Sequence, residues 1–224
     1  MERLGQRKGE IMKNYEWVKK QEARPERDKI EKNIRLVQKE VYDYFTFQYR
    51  IVGSAKRNMI TCDYSSNTGY DFDYNIEPNC DFDKYSPEEI KRILRQAFDE
   101  IGKRHGYSSC EDSTRVITLK QYNSLLITNK TIIHSCDFAI VRKKGKQWQY
   151  IHYDKPMNRY YWENQPKDFE GLEEKEKYIK KKGKWNDVKN EYLYLKKNNM
   201  DQEKKSRSLY AEAVNNIHDQ LNMK

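Results

Sequence analysis

The sequence predicts an α+β fold: a mixed or antiparallel sheet with helices on one side, followed by a helical C-terminal region. The predicted elements run helix, strand, strand, helix, several strands and then helices, an order typical of α+β proteins. Apolar residues recur at helical spacing between residues 30 and 45, and they alternate strictly with polar residues between 70 and 76. No strand pattern is found from Met157 onward, so we expect that region to be helical.

The composition is that of a folded protein with a thin aliphatic core. The chain has 224 residues, of which 36% are hydrophobic and 35% are charged, whereas typical domains have roughly 45–50% apolar and about 25% charged residues. Aromatic residues make up 13% of the chain and include 18 tyrosines. Because each buried ring removes a large apolar area from water, these rings compensate for the few aliphatic residues. The formal net charge of +9 permits contact with nucleic acid through a basic surface.

Several classes of protein are excluded by the sequence. No window approaches the roughly 18 consecutive apolar residues of a membrane span. The first residues lack the apolar stretch of a secretory signal. The four cysteines lie far apart and form no C-x-x-C pair, which argues against a zinc site and favours a reduced chain. We therefore expect a cytoplasmic protein without a membrane partner.

The first elements lead to a Gly-Ser turn. Residues 1–25 form a charged segment that is expected to be helical or loose and to end near Pro25. From Glu26 the apolar residues recur at helical spacing, which predicts an amphipathic helix. A short strand at 49–52 then leads into Gly53-Ser54.

The next segment contains the clearest strand and the clearest helix start. Residues 61–69 are polar and predict a loop. The alternation at 70–76 predicts a strand with two distinct faces. Ser86 begins a helix as its N-cap, because Pro87 occupies the first helical position and Glu89 completes a capping box.

The remaining elements are strands and then helices. Strands are expected at 115–120, 123–128, 131–141 and 147–153, with turns at 128–131 and 143–146. Helices are expected at 173–182, 186–197 and 202–222, separated at Gly183 and at Asn198-Asn199. We divide the chain into a charged N-terminal segment at 1–25, a core at 26–156 and a helical region at 157–224.

Three carboxylates are candidate metal ligands. Asp71 and Asp73 lie two residues apart on a strand, so both side chains point to the same face. Asp137 lies inside an apolar strand, where an ionised carboxylate needs a partner or a metal. If that strand lies beside the first, the three carboxylates surround a two-metal site, and oxygen ligands favour Mg²⁺. A second Asp-x-Asp at 81–83 lies in a stretch without alternation, so we expect a loop there instead of a metal site.

Together, Gly53-Ser54, Asp71-Phe72-Asp73 and Asp137 resemble the nucleotidyltransferase superfamily, which has a palm domain like that of DNA polymerase β. The order of elements is most similar to the template-independent branch, which includes oligoadenylate and cyclic-oligonucleotide synthases. The resemblance covers roughly residues 29–154. Sixteen residues separate Ser54 from Asp71, more than is usual in the family, so the loop at 64–69 would have to bulge away. Asn58-Met59 stands where the synthases often have Gly-Thr.

The resemblance implies transfer of NMP from an NTP such as ATP to an acceptor hydroxyl, with release of pyrophosphate. In that scheme Gly53 and Ser54 hold the outer phosphates, and Lys56 and Arg57 add positive charge. The residues expected to hold Mg²⁺ or Mn²⁺, and to be catalytic, are Asp71, Asp73 and Asp137. Asp137 is also the candidate proton acceptor.

The C-terminal region supplies further candidates for nucleotide binding. We expect Lys205, Arg207 and Tyr210 to face the triphosphate, unless they belong to a solvated helix that only packs on the core. The cluster at 160–162 either stacks on a base or packs internally. His134 has no partner ligand nearby in the sequence, so we expect it to be structural.

The acceptor stays open at this stage. It could be a nucleotide, an RNA end, a protein hydroxyl or a small molecule. Two alternatives to catalysis also stay open. One is a catalytically inactive nucleotide- or RNA-binding protein, and the other is an interaction module of a toxin–antitoxin pair.

Overall fold

The computed structural model describes residues 13–123, 131–165, 171–201 and 204–223, which divide into two compact units. Of these, 17–62 and 66–165 form one unit, called here the core unit. The others, 13–16, 63–65 and 171–223, form the helical unit. In the described part of the chain, no helix is both long and apolar enough to cross a membrane.

The elements follow one another in the order that the sequence predicts, with additions. They are β1 Tyr15–Trp17, α1 Lys20–Glu40, β2 Thr46–Val52, α2 Gly53–Lys56, β3 Thr61–Asp63, β4 Tyr70–Asn79, α3 Pro87–Arg104, β5 Glu111–Asp112, β6 Val116–Tyr122, β7 Ile132–Lys144, β8 Gln147–Asp154, β9 Arg159–Asn164, α4 Leu172–Lys181, α5 Trp185–Asn198 and α6 Ser206–Asn222.

The main sheet is mixed, as predicted. Its strand order is β2-β4-β7-β6-β5, and β8 pairs with β7 and with β9. The central pair, β4 and β7, is parallel, whereas β2 and β6 pair with them in antiparallel orientation. A parallel pair needs a crossover connection, and here α3 lies in that connection.

Helices α1 and α3 contact each other and share one hydrophobic core with one face of this sheet. The core includes Phe72, Phe98 and Phe138, and the rings of Phe98 and Phe138 stack with their centroids 4.1 Å apart. Because one face of the sheet is buried under the helices, the other face is left for polar side chains.

Helix α1 begins earlier than the sequence predicts. It starts at Lys20 and runs through Pro25, where we expected the preceding segment to end. Pro25 lies near the start of the helix and removes only one backbone donor. Ala23, one turn ahead of the predicted start, is buried in the core. Burial of the Ala23 side chain therefore outweighs the local signal of the proline, although the rest of this turn is exposed.

The sequence analysis missed four strands: the short strands β1, β3 and β5, and the longer β9. Residues Arg159–Asn164 form β9, although no strand was expected after Met157. Its pattern is hard to recognise because both faces carry aromatic residues: Tyr160 and Trp162 pack against the core, whereas Tyr161 stacks on His152. A short strand, Thr61–Asp63, also lies within the predicted loop.

The other local predictions for the core unit are confirmed where the structure describes them. The N-cap of α3 is Ser86, and the capping box with Glu89 is present. The turn at Gly145 joins β7 to β8. The predicted strand at 123–128 and turn at 128–131 lie outside the described residues, except for Asn123 and Thr131, which a backbone hydrogen bond of 2.9 Å joins.

In the helical unit, α4 and α5 both pack against α6. Gly183, with a φ of +68°, separates α4 from α5, and α5 ends at Asn198, as the sequence predicts. The buried side chains include Ile179, Val188 and Val214.

Candidate active site

The three carboxylates lie on one face of the sheet. On β4, Phe72 and Tyr74 are buried, whereas Asp71 and Asp73 point to the opposite side. Asp73 lies directly opposite Asp137 of the parallel neighbour β7. The two acidic strands are therefore adjacent, which is the condition for a shared metal site.

Hydroxyl groups hold two of these carboxylates. Ser135 Oγ donates to Asp71 Oδ1, and Thr118 Oγ1 donates to Asp137 Oδ1 at 2.6 Å. Thr118 lies beside Asp137 in the register of β6 and β7. The sequence analysis missed both hydroxyls, because only strand pairing shows which residues stand next to the acids.

The pKa of Asp137 is raised from its ordinary value. Burial is the main cause, and the negative charge of Asp71 adds to it, while the hydrogen bond from Thr118 acts in the opposite direction. Negative charge is therefore crowded on this face, since a carboxylate resists ionisation when it is buried near a like charge.

Gly53 places the Gly-Ser turn directly against this cluster. Its φ is +63°, and a Cβ atom at this position would come within 2.1 Å of Asp73 Oδ2. Only glycine permits both the left-handed backbone and this close approach. The turn continues as α2, whose Ser54 carbonyl accepts hydrogen bonds from the N–H groups of Arg57 and Met59. Lys56 is exposed.

The second Asp-x-Asp lies in a turn, as predicted. The N–H of Asp83 donates to Asp81 Oδ1 at 2.9 Å, and both acids are exposed. His134 lies in the core, where its ring contacts Tyr70, Phe72 and Tyr107. Burial lowers the pKa of His134 to about 4, so the ring is neutral near pH 7.

The oxygen donors on this face fit a divalent cation, but the side chains are not gathered around one. Among the described residues, no group of three or more His, Cys, Asp or Glu side chains is arranged so that it could hold a metal ion. Asp71 and Asp137 engage hydroxyls instead. The all-oxygen donor set is nevertheless the type that Mg²⁺ prefers, and a cation would relieve the crowding of charge.

The C-terminal candidates lie in the helical unit. Lys205 is the N-cap residue of α6, and with Lys196 and Lys204 it lines a cavity of about 160 Å³. Arg207 is exposed. Tyr210 is only 3% exposed, and its ring packs against the ring of Tyr192 with centroids 6.1 Å apart.

The fold is that of known nucleotidyltransferases. GTP-bound DncV from Vibrio cholerae matches with a TM-score of 0.55 and 14% sequence identity, over 90% of this chain and 52% of that chain. DncV in complex with the linear intermediate 5′ pppA(3′,5′)pG matches with a TM-score of 0.56 and 13% identity, over 90% of this chain and 54% of that chain. The latter protein is a cyclic AMP-GMP synthase.

A second synthase has the same fold. The CdnE cyclic dinucleotide synthase from Elizabethkingia meningoseptica, with GTP and Apcpp, matches with a TM-score of 0.50 and 13% identity, over 87% of this chain and 69% of that chain. The chain spans about half the length of the DncV chains that it matches. No protein-family model and no curated protein match the sequence. The predicted polymerase-β-like palm is confirmed as the fold, and cyclic dinucleotide synthases are among the proteins that share it.

Proposed function

We propose that the protein is a metal-dependent nucleotidyltransferase that moves NMP from an NTP to an acceptor hydroxyl and releases pyrophosphate. The observation that carries the proposal is the meeting of three features: Asp73 lies opposite Asp137, Asp71 shares their face, and the backbone of Gly53 approaches the Asp73 carboxylate. The fold shared with NTP-bound synthases supports an NTP as the donor substrate.

Each residue of the site has a role in this proposal. Asp71, Asp73 and Asp137 would hold Mg²⁺ or Mn²⁺, which when bound neutralises phosphate charge and makes the acceptor hydroxyl easier to deprotonate. The backbone of Gly53 and the Ser54 hydroxyl bind the outer phosphates. Lys56 and Arg57 add positive charge beside them.

The proposed reaction forms one bond to phosphorus, breaks another and transfers one proton. The acceptor oxygen forms a bond to the α-phosphorus, the bond between that phosphorus and the bridging oxygen breaks, and pyrophosphate leaves. The proton of the acceptor hydroxyl passes to Asp137, the carboxylate proposed as the general base.

Two cations of the helical unit are further candidates for phosphate binding. Lys205 and Arg207 are exposed, whereas Tyr210 is buried. We therefore propose that the two cations contact the triphosphate, and that Tyr210 stabilises the unit through its contact with Tyr192.

The full chain should be incubated with each labelled NTP and with Mg²⁺ or Mn²⁺, and the products resolved by chromatography. We expect pyrophosphate and a new nucleotide-containing product. Asp73→Asn should abolish both, whereas Asp83→Asn, a matched change in the exposed turn, should leave them intact. Equal activity in the two variants would place the chemistry elsewhere.

A second candidate is a nucleotide-binding protein without catalysis. It is favoured by the lack, in the described residues, of a group already arranged to hold a metal ion. NTP binding that is independent of Mn²⁺, together with no pyrophosphate release from any NTP, would support this candidate over the first.

A further inference from the structure

The face of the sheet that carries the carboxylates continues onto β8 and β9. Asp137 and Val141 lie on the same side of β7. Val141 stands opposite Tyr150 on β8. Tyr150 in turn stands opposite Glu163 on β9. Six residues at this end of the face are called here the aromatic strip: Arg50, Arg115, Trp148, Tyr150, His152 and Tyr161. All belong to the core unit.

Rings and guanidinium groups are paired along the strip. The Arg50 guanidinium lies 4.5 Å from the centroid of the Trp148 ring, and the Arg115 guanidinium lies 4.8 Å from that of Tyr150. The rings of His152 and Tyr161 stack 4.9 Å apart, with an angle of 19° between their planes.

The cations of the strip are accessible. The side chains of Arg50 and Arg115 are 48% and 57% exposed. Trp148 is half-buried, whereas Tyr150 is only 5% exposed. Trp148 is therefore the ring that a ligand can reach beside these guanidinium groups, and Tyr150 supports Arg115 from beneath.

The acidic groups beside the strip already have partners. Tyr150 Oη donates to Glu163, and His152 Nδ1 lies 2.7 Å from the same carboxylate. Arg50 donates to Glu77 at 3.3 Å. The Arg115 guanidinium also lies 3.8 Å from Glu163. The charges of the two arginines and the two carboxylates therefore offset one another, and stacking contributes more to the proposed binding than net charge does.

The strands that carry much of the strip, β8 and β9, pack against the hydrophobic core on their other side. On the other side of β8 and β9, Ile151 is buried and Trp162 packs against the hydrophobic core. The backbone that carries the outer rings is therefore held by core packing. This restraint reduces the conformational entropy that the protein loses when a ligand binds.

Aromatic rings and guanidinium planes beside positive charge are the groups on which single-stranded nucleic acids stack. The step from Asp137 to Val141 is four residues along β7, or about 13 Å. Arg50, by contrast, stands opposite Asn75, only two residues from Asp73. The strip therefore begins near the carboxylates and extends away from them along the sheet. It lies where a neighbouring nucleotide of the same strand would pass.

We propose that the aromatic strip binds a single-stranded oligonucleotide just upstream of its 3′ end, so that the acceptor is the 3′ hydroxyl of an oligonucleotide. The binding part of this inference is independent of the proposed function, whereas the acceptor part rests on it. The transfer step is the one given above: the 3′ oxygen bonds to the α-phosphorus, pyrophosphate leaves, and the proton passes to Asp137.

The test is fluorescence anisotropy with a labelled ten-residue oligoadenylate RNA and the full chain. Trp148→Ala and Arg115→Ala should each raise the dissociation constant about fivefold or more, the effect of losing one stacking contact. Tyr42→Ala and Arg35→Ala are matched controls on exposed residues near helix α1, and both should bind the RNA like the wild type. Arg115→Ala removes an exposed side chain, so it stays informative if Trp148→Ala does not fold.

The outcomes separate the two proposals. Wild-type RNA affinity in both strip variants would overturn the inference, even if the protein transfers nucleotides to a mononucleotide acceptor. RNA binding that depends on the strip but is accompanied by no transfer would support the binding part and contradict the proposed function. Extension of the labelled RNA by the wild type, lost in Asp73→Asn and weakened in Arg115→Ala, would support both.

Discussion

At the scale of single residues, the backbone of Gly53 and the carboxylate of Asp73 lie in direct contact. On its other side, Asp73 stands opposite Asp137 in the parallel register. The carboxylate is therefore placed by two backbones at once, from the Gly-Ser turn and from the neighbouring strand. Substitutions at Gly53 and at Asp73 test different consequences of this arrangement.

Asp73→Asn should lower the affinity for Mn²⁺ without destabilising the metal-free protein. Removal of one negative charge relieves repulsion on a face that also carries Asp71 and Asp137. We expect isothermal titration to show weaker Mn²⁺ binding, and thermal unfolding to give a Tm that is unchanged or higher. An unfolded or strongly destabilised variant would mean that the carboxylate is structural.

Gly53→Ala should disrupt the site more than a glycine substitution elsewhere. The new methyl group would meet Asp73 Oδ2, and the left-handed backbone adds a cost of about 1–2 kcal/mol for alanine. Gly145→Ala is the matched control, because Gly145 has a φ of +60° and a methyl group there would meet nothing within 4 Å. Urea unfolding and NTP binding should both show the larger loss for Gly53→Ala, and equal losses would contradict the close contact with Asp73.

At the scale of elements, a buried ion pair joins α3 to β5. Lys91 Nζ lies 2.7 Å from Asp112 Oδ1 and donates to the carbonyl of Ser113 at 2.8 Å. The hydroxyl of Tyr160, on β9, donates to Asp112 Oδ2 at 2.8 Å. A lysine that is 2% exposed thus ties one helix to two strands.

Lys91→Met should destabilise the protein by about 3–5 kcal/mol, because it leaves the partly buried carboxylate of Asp112 without its cation. Burial already lowers the pKa of Lys91, which shows that the pair is poorly solvated. Arg104→Met is the control on the same helix, since its ion pair with Glu100 is exposed and such pairs contribute about 0–1 kcal/mol. The comparison is made by urea unfolding, and similar losses in the two variants would contradict a structural role for Lys91.

At the scale of the whole molecule, the neutral His134 couples stability to pH. The ordinary pKa of histidine is about 6.5, and burial lowers that of His134 to about 4 although Glu26 lies nearby. Between these two values the unfolded chain binds a proton at this residue and the folded protein does not. Stability from this group is therefore complete above about pH 6.5 and is lost as the pH falls towards 4.

The free energy of unfolding should fall by about 3 kcal/mol more in the wild type than in His134→Gln between pH 7 and pH 4. Other groups titrate in both proteins, so the difference between the two curves isolates His134. Urea unfolding at several pH values measures it. If the free energy of unfolding has the same pH dependence in both proteins, the His134 ring takes up its proton at the same pH in the folded and unfolded states.

The local structure and part of the site follow from the order of the residues alone. Alternation with a period of two placed Asp71 and Asp73 on one face, and the capping box located the start of α3, because both depend on residues close in the chain. The same alternation distinguished the strand that carries Asp71 and Asp73 from the turn that carries Asp81 and Asp83, where it is absent.

Which distant residues stand together depends on the tertiary structure. The parallel pairing of β4 with β7 brought Asp137 opposite Asp73, and the pairing of β6 with β7 brought Thr118 to Asp137. Burial of Ala23 extended α1 across Pro25, and packing on the core made β9 a strand. These outcomes depend on contacts between segments far apart in the sequence. Local periodicity cannot specify them, because the free energy that selects them comes from burial and pairing of the whole sheet.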